Sequence, residues 1–214
     1  MKSHSLHNVL TACFLLVSSP ALRLDSGQAV AGHGFVTTFG DIEWLPEPGR
    51  TPDTVGYQLD SWSEAGQLWL ATTARQVVDL SLGFAREKLA EAEAMLTVQD
   101  IAAARIALEH YWYYIDRAEQ ALPQAADGQD EETIALVETL TTHLLEHQYI
   151  LTIIHTDLSV ESRDILREVF TTAQQRYPRI ADRLPRKKRG ALFFKEEEVR
   201  WSVEMAIRED EEQG

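Results

Sequence analysis

The chain has a single cysteine, Cys13, and it lies in the first 31 residues. Beyond that segment there is no thiol, which excludes a disulfide framework, thiolate metal sites and cysteine nucleophiles there. Long apolar runs are also missing. The apolar stretch Val9 to Val17, VLTACFLLV, has nine residues, far short of the roughly 20 needed to cross a bilayer. Basic charge is scarce: 20 lysines and arginines stand against 34 acidic residues, for a net charge of −14. Phosphate binding needs a basic surface, so nucleic acid is not an expected partner. No G-x-x-x-x-G-K-[ST] phosphate loop and no G-x-S-x-G nucleophile turn is present. Gly32-His33-Gly34 is not a nucleotide fingerprint, because no strand-turn-helix pattern follows it. The acidic residues are spaced like solvated helix faces, not like a paired acid and base. These absences together predict a protein that is not an enzyme.

What is present begins with an address. Lys2, the apolar run Val9 to Val17, and the small residues Ser18, Ser19 and Ala21 have the layout of a secretory signal peptide. Cleavage is expected after Ala21 or Ala31, and the mature chain is expected to be exported, periplasmic or secreted. Leu10-Thr11-Ala12-Cys13 matches a short lipobox, but most of the apolar core follows the cysteine, so lipidation is not expected.

Residues 32–58 are dense in helix breakers, among them Gly32, Gly34, Gly40, Pro46, Pro48 and Pro52, and read as an irregular arm. Val36 to Phe39 reads as a short strand within it. From about residue 60 the pattern turns helical. Val78, Leu82, Ala85, Leu89, Ala92 and Leu96 alternate in steps of four and three, and Trp62, Ala65 and Trp69 extend the stripe backwards into one helix over 60–97. Asp100 is an N-cap for the stripe Ile101, Ala104, Leu108, Tyr111, Ile115, Ala118 and Leu122, which ends at Pro123 and Ala125–Gly128. Asp130 caps a third stripe, Val137, Leu140, Leu144, His147, Leu151 and Ile154. After a turn at 156–158, Ser159 opens a fourth: Leu166, Phe170, Ala173, Tyr177, Ile180 and Leu184. Pro178 predicts a kink or break. Residues 186–190 read as a basic linker, 196–208 as a short last helix, and 209–212 as a fraying acidic tail. The expectation is an all-α fold: antiparallel helical hairpins forming a bundle of about four main helices over 59–185, with an irregular N-terminal arm.

Leu45-Pro46, Pro52 and Tyr57 precede a helix with an early Glu64. Phe84-Ala85-Arg86-Glu87-Lys88-Leu89-Ala90-Glu91-Ala92 and a mid-helix Tyr111 or Tyr114 follow. Over Leu45 to Leu122 this arrangement resembles a bacterial domain of unknown function, family 5667. The resemblance implies an exported or membrane-tethered helical module without enzymatic activity, and it carries over no catalytic residues.

Three clusters stand out as candidate sites. His143-Leu144-Leu145-Glu146-His147 places two histidines at i and i+4 on one helix face, the spacing for a shared zinc or other divalent transition metal. It also fits H-x-x-E-H, in which Glu146 would serve as base of a metallohydrolase. Glu109, His110 and His155 are candidate third ligands, and the alternative is that His147 fills a core seam, hydrogen-bonded, with His143 at its edge. His110-Tyr111-Trp112-Tyr113-Tyr114 is spread around a helix axis, with Tyr111 inward and Trp112 or Tyr113 outward for a partner or against the arm. Arg183, Arg186, Lys187, Lys188 and Arg189 form a basic cluster beside Phe193-Phe194, suited to an anionic surface or to a solvated linker. The leading expectation is an interaction or scaffold module that binds an envelope protein through Trp112 and Tyr113. The alternatives are a periplasmic metal-binding or stress-related protein using His143 and His147, and a hydrolase.

Overall fold

A capped break, not a continuous stripe, organises the first helical segment. The computed structural model describes residues 38–40, 42–54, 56–123 and 130–213. Along them run six helices: α1 (Tyr57–Leu70), α2 (Ala74–Thr97), α3 (Ile101–Ala121), α4 (Glu131–Thr156), α5 (Val160–Ala181) and α6 (Arg186–Gln213). The described residues contain no strand, and none of their helices is long and apolar enough to cross a membrane. The residues expected to form a signal peptide (1–31), the start of the arm (32–37) and the stretch 124–129 lie outside the described residues.

The single helix expected over 60–97 is two helices. Ala71 is extended, and Thr73 starts α2 with a capping box: its hydroxyl accepts from the Gln76 amide N–H, and the Gln76 side chain accepts from the Thr73 N–H. Thr-x-x-Gln is a start signal strong enough to interrupt a run of good helix formers. The face that α1 buries is also not the one expected. Trp62, Ala65 and Trp69, expected to continue the buried stripe, are exposed, and α1 buries Tyr57, Glu64 and Leu68 instead.

The stripes of the remaining helices pack as read. Every named member from Val78 to Leu96, from Ala104 to Leu122, from Val137 to Ile154 and from Leu166 to Leu184 is buried. α2 and α3 pair as an antiparallel hairpin whose facing alanines, Ala85, Ala92, Ala104 and Ala107, admit close approach. The turn between them is closed by Gln99 in the left-handed region (φ 59°) and by the Asp100 carboxylate, which accepts from the Ala103 N–H at 3.0 Å. α4 packs on α5 and α6. Each fully buried leucine of α4, such as Leu136, Leu140 and Leu144, contributes about 1.5–3 kcal/mol.

Three further expectations are corrected. The basic stretch 186–190 is not a linker and 196–208 is not a short helix; both belong to α6, which continues through the acidic residues to Gln213. Pro185 precedes its first turn, and Arg, Lys and Glu are good helix formers throughout. Its C-terminal end is held by Asp210, whose carboxylate takes His155 Nε2 at 2.9 Å, Arg167 at 3.0 Å and Arg163 at 3.4 Å. Pro178 does not break α5, because it falls in the last turn, where only one intrahelical N–H bond is lost. Thr38 and Phe39 form a turn, not a strand.

The arm is irregular yet docked. Phe39 stacks on Tyr149 of α4 at 4.4 Å, with the Lys195 ammonium of α6 over its ring at 5.1 Å. Arg86 of α2 pairs with the Glu43 carboxylate at 2.8 Å and donates to the carbonyls of Glu43 and Trp44.

Candidate functional site

α2 carries two buried stripes. Beside the apolar one runs Ser81, Phe84, Lys88, Glu91 and Met95, again in alternating steps of three and four, and the middle of this second stripe meets α1. At its centre Lys88 is completely buried, with its ammonium 2.9 Å from Glu64 Oε1 of α1 and 2.8 Å from Glu91 Oε1. Tyr114 of α3 donates its hydroxyl to the other oxygen of Glu64. The Tyr57 ring lies under the same ammonium at 4.9 Å, and the Tyr57 hydroxyl meets His110 Nδ1 at 2.7 Å. Five side chains from three helices thus surround one buried cation.

The electrostatics follow from that closeness. Burial alone would lower the Lys88 pKa, but the hydrogen bonds it donates to Glu91 and Glu64 hold it above its ordinary value. Glu91 is pushed up to about 7, chiefly by burial, with Lys88 pulling the other way and Glu64 and Glu87 adding repulsion. Its second oxygen has no hydrogen-bond partner among the described residues. Burial also raises the Tyr57 and Tyr114 hydroxyls, and it lowers His110 with help from Lys88. Chemically this is a clamp: a protonated amine held between two carboxylates, out of reach of solvent, fixing α1 onto the α2–α3 hairpin.

Tyr57, Glu64, Lys88, Glu91 and Tyr114 of the clamp are among the residues on which the likeness to family 5667 was drawn, with Tyr114 one of two tyrosines it left open. A family model described as a domain of unknown function (DUF5667) matches residues 49–183. The chain belongs to this family. The DUF5667 match extends well past the stretch over which the sequence resemblance was drawn, taking in α4 and α5. No curated protein and no solved structure matches the chain.

The histidine pair of this DUF5667 protein lies elsewhere, on the face of α4 that meets the arm. His143 and His147 rings are 6.0 Å apart, and with Ile42, Glu43, Arg86, Glu146 and Ile150 they line a cavity of about 180 Å³. His147 is buried in its seam as expected, but it is not hydrogen-bonded: neither ring nitrogen has a partner among the described residues. Burial, reinforced by His143 and Arg86, lowers its pKa to about 3, so the ring is neutral. His143 is lowered too, by burial against the pull of Glu146. Glu146 lies 3.3 Å from His143 Nδ1 and 3.6 Å from Lys195 Nζ. The candidate third ligands are engaged apart from the pair: His110 with Tyr57, His155 with Asp210, while Glu109 lines a cleft between α3 and α5. Among the described residues no three His, Cys, Asp or Glu side chains stand as a ready metal-binding group.

Of the two expected partner-binding residues, Tyr113 faces out and Trp112 does not. Trp112 is half-buried, with the Arg176 guanidinium of α5 over its ring at 5.0 Å and Tyr111 edge-on at 4.8 Å. It bridges α3 to α5, not to the arm. The large exposed aromatics that sequence reading placed inside are Trp62 and Trp69 of α1, at 72% and 84% exposure. Their signal was available: Leu59, Trp62, Trp69 and Leu70 share one face at helical spacing, opposite Tyr57, Glu64 and Leu68.

Proposed function

We propose that this DUF5667 protein is a non-enzymatic interaction module of the cell envelope that presents α1 to an apolar groove on a protein partner. The observation that carries the reading is the pairing of the two faces of α1. Its inner face is fixed by the Lys88 clamp, while its outer face offers Leu59, Trp62, Trp69 and Leu70 to solvent. A short helix with apolar anchors at such spacing suits recognition of a groove, and tryptophans dominate interface energetics. A rigidly held helix loses little freedom on binding, which favours affinity. Placement in the envelope rests on the Lys2, Val9–Val17 and Ala21 pattern. The test is crosslinking of the tagged full-length chain in cells, read by mass spectrometry. One dominant envelope partner is expected. Trp62→Ala with Trp69→Ala should abolish its capture at unchanged circular dichroism, since each tryptophan is worth about 2 kcal/mol or more at an interface. Capture that ignores this double change would sink the reading.

A second reading rests on His147 alone. An imidazole buried beside a cavity with both nitrogens unpartnered costs about 1–3 kcal/mol, and its neutral form is the one that ligates metals. In this reading His147 and His143 hold zinc or another divalent transition metal, with Glu146 turning from Lys195 to complete the set. Competition with a chromogenic chelator should then show one zinc per chain, lost in His147→Ala. Zinc uptake equal in that variant and the parent would remove the pair from consideration.

A further inference from the structure

The first turns of α6 gather positive charge that the fold does not use. Arg179 at the end of α5, and Arg186 and Lys187 at the start of α6, are exposed and have no carboxylate partner among the described residues. The acids that meet the neighbouring stretch of α6 are engaged with other cations. Glu138 holds Lys188 at 2.8 Å, Asp182 and Glu196 hold Arg189, and Glu197 holds Arg200. Arg183 donates to the Pro123 carbonyl at 2.6 Å. The net charge of −14 therefore does not cancel this patch locally.

Two helical turns on from Arg186 and Lys187, at i+7 in each case, stand Phe193 and Phe194. They are 52% and 71% exposed, edge-on to each other at 5.6 Å. One turn on from both cations stands Gly190, at i+4 from Arg186 and i+3 from Lys187, flanked by Ala191 and by Arg189, which Asp182 and Glu196 hold. The core contacts of α6 come from other positions, Leu192, Val199 and Val203, and do not need these rings. Cations at a helix N-terminus also oppose the macrodipole, so their placement there does not serve the helix. An anionic surface would satisfy both features.

We propose that this end of α6 docks on an anionic lipid bilayer, with Arg179, Arg186 and Lys187 on headgroup phosphates and Phe193 and Phe194 at the acyl boundary. The rings project from a helix surface instead of lining a groove, which suits insertion into an interface. Screening decides between the patch and the acidic whole. The acidic end of α6 lies about 35 Å away along the helix, several times the roughly 8 Å Debye length at physiological salt, and of the nearer acids Glu196 and Glu197 are paired with Arg189 and Arg200 while Glu198 accepts from Thr38, so the bilayer senses the local cations. This inference is independent of the groove-binding role of α1.

The test is flotation of the full chain with phosphatidylcholine vesicles, with and without phosphatidylglycerol. Binding is expected only where phosphatidylglycerol is present, and it should weaken as salt rises. Arg186→Ala with Lys187→Ala should weaken it about 25-fold, at roughly fivefold for each cation near the surface. Phe193→Ser with Phe194→Ser should weaken it at unchanged helicity, since both rings are exposed. Equal flotation on both vesicle types would overturn the proposal. So would binding indifferent to the phenylalanine pair and abolished by free inorganic phosphate, which would mark a general anion patch without a lipid role.

Discussion

Lys88→Ala is expected to destabilise the protein by about 3–5 kcal/mol, because it leaves two buried carboxylates, Glu64 and Glu91, facing each other without their cation. Urea unfolding followed by circular dichroism measures this. A loss within about 1 kcal/mol would mean that the clamp is not the anchor of α1 that its geometry indicates. Lys88→Met restores the volume but not the charge, so it should rescue little. Replacing the three together, with Lys88→Met, Glu64→Leu and Glu91→Leu, should recover most of the stability, since well-packed apolar groups commonly match a buried ion cluster. The contrast between the single and triple changes separates the penalty of an unpaired charge from the net worth of the cluster.

Acid is expected to destabilise the protein through His147. Its folded-state pKa, about 3, lies below the ordinary value of 6.5. The group therefore contributes stability fully present above pH 6.5 and lost as pH falls toward 3. By pH 4 the loss is on the order of 3 kcal/mol. Glu91 works in the opposite sense. Its folded-state value is raised from 4.5 to about 7, so its contribution grows as pH falls through that window. The parent profile is a sum of such opposed terms, and the difference between the parent and His147→Leu isolates the histidine. Melting temperatures of the two proteins should diverge steadily below pH 6.5 in favour of the leucine variant. Parallel curves from pH 7 to pH 4 would refute the assignment.

The apolar stripes of α2 to α5 were legible because each buries one continuous face, and burial writes that face into the sequence at 3.6-residue spacing. The caps at Asp100 and Asp130 were legible for a similarly local reason: an acceptor side chain stands where free N–H groups need one. Two kinds of feature escaped. Trp62 and Trp69 were misplaced by phase: continued backwards in steps of three and four, the α2 stripe arrives at Leu68, Glu64 and Tyr57, the residues that α1 buries, and leaves the tryptophans on the opposite face. The others had non-local causes. Lys88 and Glu91 look like solvated charges in the sequence. Their burial depends on α1 folding back to bring Glu64, and on Tyr114 arriving from another helix. A hint was present in the second stripe, where Phe84 and Met95 bracket the charged pair at core spacing. The basic residues at the start of α6 were read as a linker because charge suggests solvent, whereas the helix continues on the intrinsic propensity of arginine, lysine and glutamate.

The family match ends at residue 183, and α6 begins at Arg186. Yet α6 contributes Leu192, Val199 and Val203 to the core, and Tyr177 of α5 donates its hydroxyl to Glu196 of α6 at 2.6 Å. In this chain the stretch that marks kinship is therefore smaller than the stretch that must fold together. A fragment trimmed to the recognisable domain would uncover the flank of α4 and α5 that α6 covers, and its solubility would say little about the intact molecule.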